Sequence, residues 1–111
     1  MAEEKRFENK IKEFIAEQGG WYIKYWAGSQ YTKKGIPDLL ACVNGYFVAI
    51  EVKATAGIAS KLQLRHIEKI RNAGGFAFVV YPSGFDKLKE FIEGLKQDYF
   101  PDVTTLEVIL K

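Results

Sequence analysis

Apolar residues recur at helical spacing at Phe7, Ile11, Phe14 and Ile15, with Glu3 and Glu4 in the first turn and Gly19-Gly20 as a stop, so the pattern predicts an amphipathic helix over residues 3–18. The run from Trp21 to Trp26 is aromatic and β-favouring and predicts the first strand. Two further strand-like runs meet at Asn44-Gly45, the strongest short hairpin signal a sequence offers. Ser60-Lys61-Leu62-Gln63 has the form of a capping box and opens a helix that runs to about Ala73, where Gly74-Gly75 stops it. Its apolar stripe is Leu62, Ile67 and Ile70. Phe76 to Tyr81 then reads as a buried strand reached by a crossover through that helix. Residues 85–95, with Leu88, Phe91, Ile92 and Leu95, predict a last amphipathic helix, and Val103 to Leu110 an edge strand or a dimer contact. The class is α/β, a mixed central sheet flanked by helices, in a single domain over residues 1–111.

The hairpin sets a register. With Asn44 and Gly45 as the centre of a type I′ turn, Val43 faces Tyr46 and, counting back along both strands, Asp38 falls opposite Glu51. Side chains alternate with period 2, so Lys53 shares a face with Glu51. The same face carries Leu40, Cys42, Phe47 and Ala49, and the other carries Leu39, Ala41, Val43, Tyr46, Val48, Ile50 and Val52. Both faces read as buried, which places the hairpin mid-sheet and the three charges at the rim of a core. Two carboxylates about 5 Å apart repel by roughly 3 kcal/mol at an effective dielectric of about 20. A proton or a cation relieves that cost. Carboxylate oxygens, a nearby backbone carbonyl such as that of Val52, and water form the ligand set of a hard divalent ion such as Mg²⁺.

Composition narrows the class. The chain is 48% hydrophobic and 27% charged, contains no apolar run long enough to span a bilayer and shows no cleavable leader after Met1, so a soluble intracellular protein is expected. Cys42 is the only cysteine; no intrachain disulfide is possible, and its hairpin position predicts a small core residue rather than a nucleophile. A formal net charge of +2 does not announce nucleic acid by itself. The distribution of charge says more, because no acid lies between Gln18 and Asp38 while Lys24, Lys33 and Lys34 do. These lysines can hold phosphates and Tyr31 or Trp26 can stack on bases, against the bland reading of an ordinary polar loop; the stretch leads directly into Pro37-Asp38, which favours substrate contact.

Pro37-Asp38 followed by Glu51-Val52-Lys53 is a literal match to the motif of the PD-(D/E)xK nuclease superfamily, and the chain resembles it over most of its length. With Gly35-Ile36 ahead of the motif and Gln63 behind it, the pattern is similar to the virus-type replication-repair nuclease branch (VRR-NUC), and the length is similar to that of stand-alone viral members. The resemblance implies a restriction-endonuclease-like αβββαβ core and a metal-dependent deoxyribonuclease. Asp38, Glu51 and the Val52 carbonyl would hold Mg²⁺ or Mn²⁺, Lys53 would orient the attacking water or stabilise the pentacovalent charge, and Gln63 would stand near the active site as well as cap its helix. It also implies a further metal ligand on the first helix, for which Glu8 is the best match and Glu4 the second; spacing alone makes Glu8 a solvated flank. His66 receives no catalytic role.

The function expected is therefore structure-selective cleavage of DNA, with Holliday junctions or other branched DNA as substrate and a homodimer as the acting form, in the cytoplasm of a bacterium or of a phage-infected host. A restriction-like or nicking nuclease, and a non-catalytic DNA-binding module, are the alternatives. The intact Asp38, Glu51 and Lys53 speak against the last.

Overall fold

The computed structural model describes residues 2–26, 33–98 and 106–111. In chain order the elements are α1 (Ala2–Glu17), β1 (Trp21–Lys24), β2 (Leu39–Val43), β3 (Tyr46–Val52), α2 (Lys61–Asn72), β4 (Phe76–Val80), a single 3-10 turn at Pro82–Gly84, α3 (Phe85–Lys96) and β5 (Ile109–Leu110). The five strands form one sheet in sequence order, β1 to β3 antiparallel and β3, β4 and β5 parallel. This is the mixed sheet and the αβββαβ order expected. The first strand stops at Lys24, two residues short of its predicted end, and only Ile109–Leu110 of the predicted C-terminal strand forms β5, while residues 103–105 lie outside the described residues. Among the described residues no helix is long and apolar enough to cross a membrane.

The hairpin has the expected turn, with φ of 50° at Asn44 and 86° at Gly45, and the expected register, Val43 facing Tyr46 and Leu39 facing Ile50. Positive φ at both central residues matches the right-handed twist of the strands, which is why Asn-Gly suits the position. Asn44 also donates from Nδ2 to the Leu95 carbonyl at 2.9 Å, tying the turn to the end of α3.

Two helices, α1 and α3, cover one face of the sheet. Phe7, Ile11 and Ile15 of α1 and Leu88, Ile92 and Leu95 of α3 pack on Leu39, Ala41, Val43, Val48, Ile50 and Val52, all of them buried. Each of the larger side chains among these contributes about 1.5–3 kcal/mol by leaving water. Helix α2 covers the other face through Ile67 and Ile70, which pack with Ala49, Ala77, Val79 and Tyr81.

The second face corrects the sequence reading. Its residues on the hairpin are not uniformly buried: Phe47 is 44% exposed and Cys42 is exposed, so Cys42 is not a core residue. A single helix of 12 residues spans β3 and β4 but not the whole sheet, and among the described residues nothing covers the β1 and β2 side of this face, where Trp21 and Ile23 are also exposed. The hydrophobic pattern shows that a position is apolar; how many helices are available to cover it is a property of the layer.

At the far edge, Arg71 of α2 donates to the carbonyls of Ala77, Leu106 and Glu107, each at 2.8 Å, and so carries the C-terminal segment against the sheet. Gly84 permits the same closure, since a Cβ there would lie 2.1 Å from the Leu110 carbonyl oxygen. Gly84→Ala is therefore expected to push β5 off the sheet at a cost of about 1–3 kcal/mol. Hydrogen exchange checks it: the Val79 and Tyr81 amides, which donate to Val108 and Leu110 at 2.8 and 3.0 Å, should lose protection while β2 and β3 keep theirs.

Candidate active site

At the open end of the hairpin the two faces of the sheet meet. The ladder between β1 and β2 continues one step past Lys24, where the Tyr25 amide donates to the Asp38 carbonyl at 2.8 Å, so Asp38 stands at the start of β2 and its carboxylate reaches both ways. Asp38 Oδ2 accepts from the Val52 amide at 2.8 Å, and Oδ1 lies 3.3 Å from Lys24 Nζ. Glu51, one residue before the end of β3, is 3% exposed. Its Oε2 accepts from Gln63 Nε2 at 2.9 Å and lies 3.4 Å from Lys53 Nζ.

Gln63 serves two ends at once. Its amide N–H and its side-chain oxygen close the capping box with Ser60, at 3.1 and 2.8 Å, while its side-chain nitrogen holds Glu51. The start of α2 is thereby fixed to β3 through one residue. The loop between them is tied down by contacts that the sequence did not announce: Tyr81 donates its hydroxyl to the Gly57 carbonyl at 2.7 Å, and Thr55 donates to Glu3 through its amide and hydroxyl at 2.8 and 2.7 Å. No local pattern signals pairings 24 and 52 residues apart.

Glu8 is buried, 4% exposed, on the face of α1 that meets the sheet, not on a solvated flank. Lys24 Nζ lies 2.6 Å from its Oε1, and Lys12 and Lys5 lie 3.0 and 3.6 Å from its Oε2. Burial opposes ionisation of Glu8, but the hydrogen bond from Lys24 and the charge of the Lys24 and Lys12 ammonium groups outweigh it and hold the carboxyl below its usual range. Lys24 thus bridges Glu8 to Asp38 and points into the site, whereas Lys33 and Lys34 are exposed. Tyr31 lies outside the described residues. The alternation along β1 puts Lys24 on the α1 side of the sheet, and that was the one available sign that it turns inward.

The oxygens differ in what they lack. Glu8 Oε2 accepts no well-aligned hydrogen bond but has two ammonium groups close by, whereas Glu51 Oε1 is buried and has no donor. Burial, and then the Asp38 charge, push the Glu51 carboxyl from 4.5 up to about 8, with Lys53 pulling the other way. A buried acceptor without a partner costs free energy. Together with the Asp38 carboxylate and a backbone carbonyl, it suits a hard divalent cation. Among the described residues no three acidic, histidine or cysteine side chains converge on one point, so a cation here would rest on the Asp38 and Glu51 pair and on main-chain or solvent oxygen.

The family model for the archaeal Holliday junction resolvase (Hjc) matches residues 2–81, a span that runs from α1 through β4 and includes every residue of the site described above. A solved structure described as a VRR_NUC domain is similar with a TM-score of 0.62 and 25% sequence identity, covering 88% of this chain and 98% of that one. No curated protein matches.

The raised Glu51 carboxyl sets a pH dependence. The native state keeps a proton that the unfolded chain releases, so the associated stability is present below about pH 4.5 and lost as the pH rises through about 8. In EDTA the melting temperature should fall between about pH 5 and pH 8.5, by about 5 °C or more. Glu51→Gln should remove most of that fall. A wild-type melting temperature that rises or stays level over this range contradicts the reading.

Proposed function

The chain belongs to the archaeal Holliday junction resolvase family, and from that premise we propose that it hydrolyses phosphodiester bonds in four-way and other branched DNA, as a homodimer, with Mg²⁺ or Mn²⁺ held by Asp38, Glu51 and the Val52 carbonyl. It is a metal-dependent DNA endonuclease of the PD-(D/E)xK superfamily. The observation that carries the finer reading is the buried Glu51 oxygen without a donor, beside Asp38 and Lys53.

When bound, the divalent ion supplies the charge that lowers the pKa of a water and polarises the scissile phosphate. The protein's own groups prepare for it. The Val52 amide and Gln63 fix one oxygen each of Asp38 and Glu51, so that both carboxylates are oriented before any ligand arrives. Lys53, 3.4 Å from Glu51 and half-buried, places an ammonium where negative charge grows on the phosphate oxygens. Exposed Lys33 and Lys34 lead into Asp38 and suit the phosphates on either side of the cut, with Tyr31 a base-stacking candidate in the same stretch.

A four-way junction needs two symmetric cuts, and a twofold dimer supplies two sites in opposite orientation. The sheet face of Trp21, Ile23, Cys42 and Phe47, exposed among the described residues and bordered by the edge strand β1, supports pairing with a second copy.

Asp38→Asn removes one charge of the pair and keeps its shape. Cleavage of four-way DNA in Mg²⁺ should fall by about 100-fold or more, binding to the same DNA should persist, and the metal-induced rise in melting temperature should shrink. If the variant cuts at the parent rate with the same metal requirement, Asp38 is not in the site. For assembly, sedimentation at micromolar concentration should give twice 12.6 kDa for the parent and 12.6 kDa for Trp21→Glu combined with Ile23→Glu. A parent that sediments as a monomer both free and on junction DNA removes the dimer.

A further inference from the structure

The acidic centre has two compartments that differ in how their charge is met. On one side Glu51 Oε1 lacks any donor. On the other, between Glu8 and Asp38, an ammonium is already in place, with Lys24 Nζ 2.6 Å from Glu8 Oε1 and 3.3 Å from Asp38 Oδ1. Phosphoryl-transfer sites that use two divalent ions place them about 3.5–4 Å apart and share a carboxylate between them. Asp38 is the shared carboxylate in this geometry, and the position on its Glu8 side is taken by the chain's own cation.

Lys24 is held there from several directions. The β1 register fixes its backbone opposite Leu39, next to Asp38. Its side chain is 19% exposed, and the Trp26 ring lies 5.3 Å from Nζ. The carboxylate that anchors it is itself neutralised further by Lys12 at 3.0 Å and Lys5 at 3.6 Å. A divalent ion entering between Glu8 and Asp38 would have to expel the Lys24 ammonium or lie against it, with two more ammonium groups behind. An open groove of about 230 Å³ lined by Glu4, Lys5, Glu8, Lys24 and Trp26 leads to this side, so it is charge and occupancy, not access, that keep an ion out.

We infer that the Lys24 ammonium occupies the place of a second divalent ion, so that the site loads one ion, at Asp38 and Glu51, and Glu8 anchors Lys24 instead of binding metal. Lys24 is thereby a positioning residue: it keeps Oδ1 of Asp38 directed away from the Val52 amide and supplies a fixed positive charge on that side. The inference rests on the metal site proposed at Asp38 and Glu51, and it assigns the number of ions and the role of Glu8, which that reading leaves open.

Counting Mn²⁺ bound to the whole protein without DNA, from the loss of the free-ion electron paramagnetic resonance signal, tests it without reference to cleavage. The parent should bind one ion per chain. Lys24→Met should bind two, because Glu8 and Asp38 are then both open to the second, and adding Glu8→Gln to it should return the count to one. Glu8 keeps Lys12 and Lys5 in Lys24→Met, so its fold should survive; Lys24→Gln, neutral but still able to donate to Glu8, gives the same count should Lys24→Met not fold. Two ions in the parent, one ion in the folded neutral variants, or two in the double variant each overturn the inference while leaving the Asp38 and Glu51 site standing. No ion bound by the parent overturns both.

Discussion

Two carboxylates opposite one another across a hairpin repel, and the end of this sheet is built around that repulsion. The strands cannot slip to relieve it, because a shift of one residue would turn Leu39, Ala41, Val48 and Ile50 from the core to the other face. Asp38 and Glu51 are therefore held together by the burial of their neighbours. The surrounding groups share out the resulting charge: the Val52 amide and Lys24 on Asp38, Gln63 and Lys53 on Glu51, Lys12 and Lys5 on Glu8. What remains is one buried oxygen of Glu51 with no donor, and it sits where a cation has the most to gain.

The layers decide which charges reach this point. Helix α1 brings Glu8 to one side of the sheet end, α2 brings Gln63 to the other, and Asp38 lies where the two sides meet. Because the residues come from five elements joined by one sheet, orientation of the carboxylates depends on the register of β1 against β2 and of β2 against β3 as much as on any hydrogen bond. A site on strand ends and helix starts is more rigid than one on loops, which suits a reaction that depends on placing oxygens within a few tenths of an ångström.

Charge and hydrophobicity are also divided across the molecule. Among the described residues the α1 and α3 face is closed, the α2 face is closed over β3 and β4, and the β1 and β2 part of that face is exposed and apolar. The acidic centre lies at the end of the sheet, and the apolar area lies along its edge strand. A second copy joined through that edge would leave both acidic centres free for DNA, which is the arrangement a four-way substrate calls for.

Much of this was legible from the chain. Asn44-Gly45 determined the register, because Asn-Gly readily takes the two positive φ values of a two-residue type I′ turn, and the register in turn brought Asp38 to Glu51. Helical spacing located α1, α2 and α3, and the capping box located the start of α2 to the residue, since these signals are local and repeat within a few positions. The tertiary structure alone decided where Lys24 points, that it meets Glu8 and whether Cys42 is exposed. Each of those depends on which element lies against which, over separations of 14 residues and more, and the reach of a single helix across a sheet is not written in any stretch of sequence.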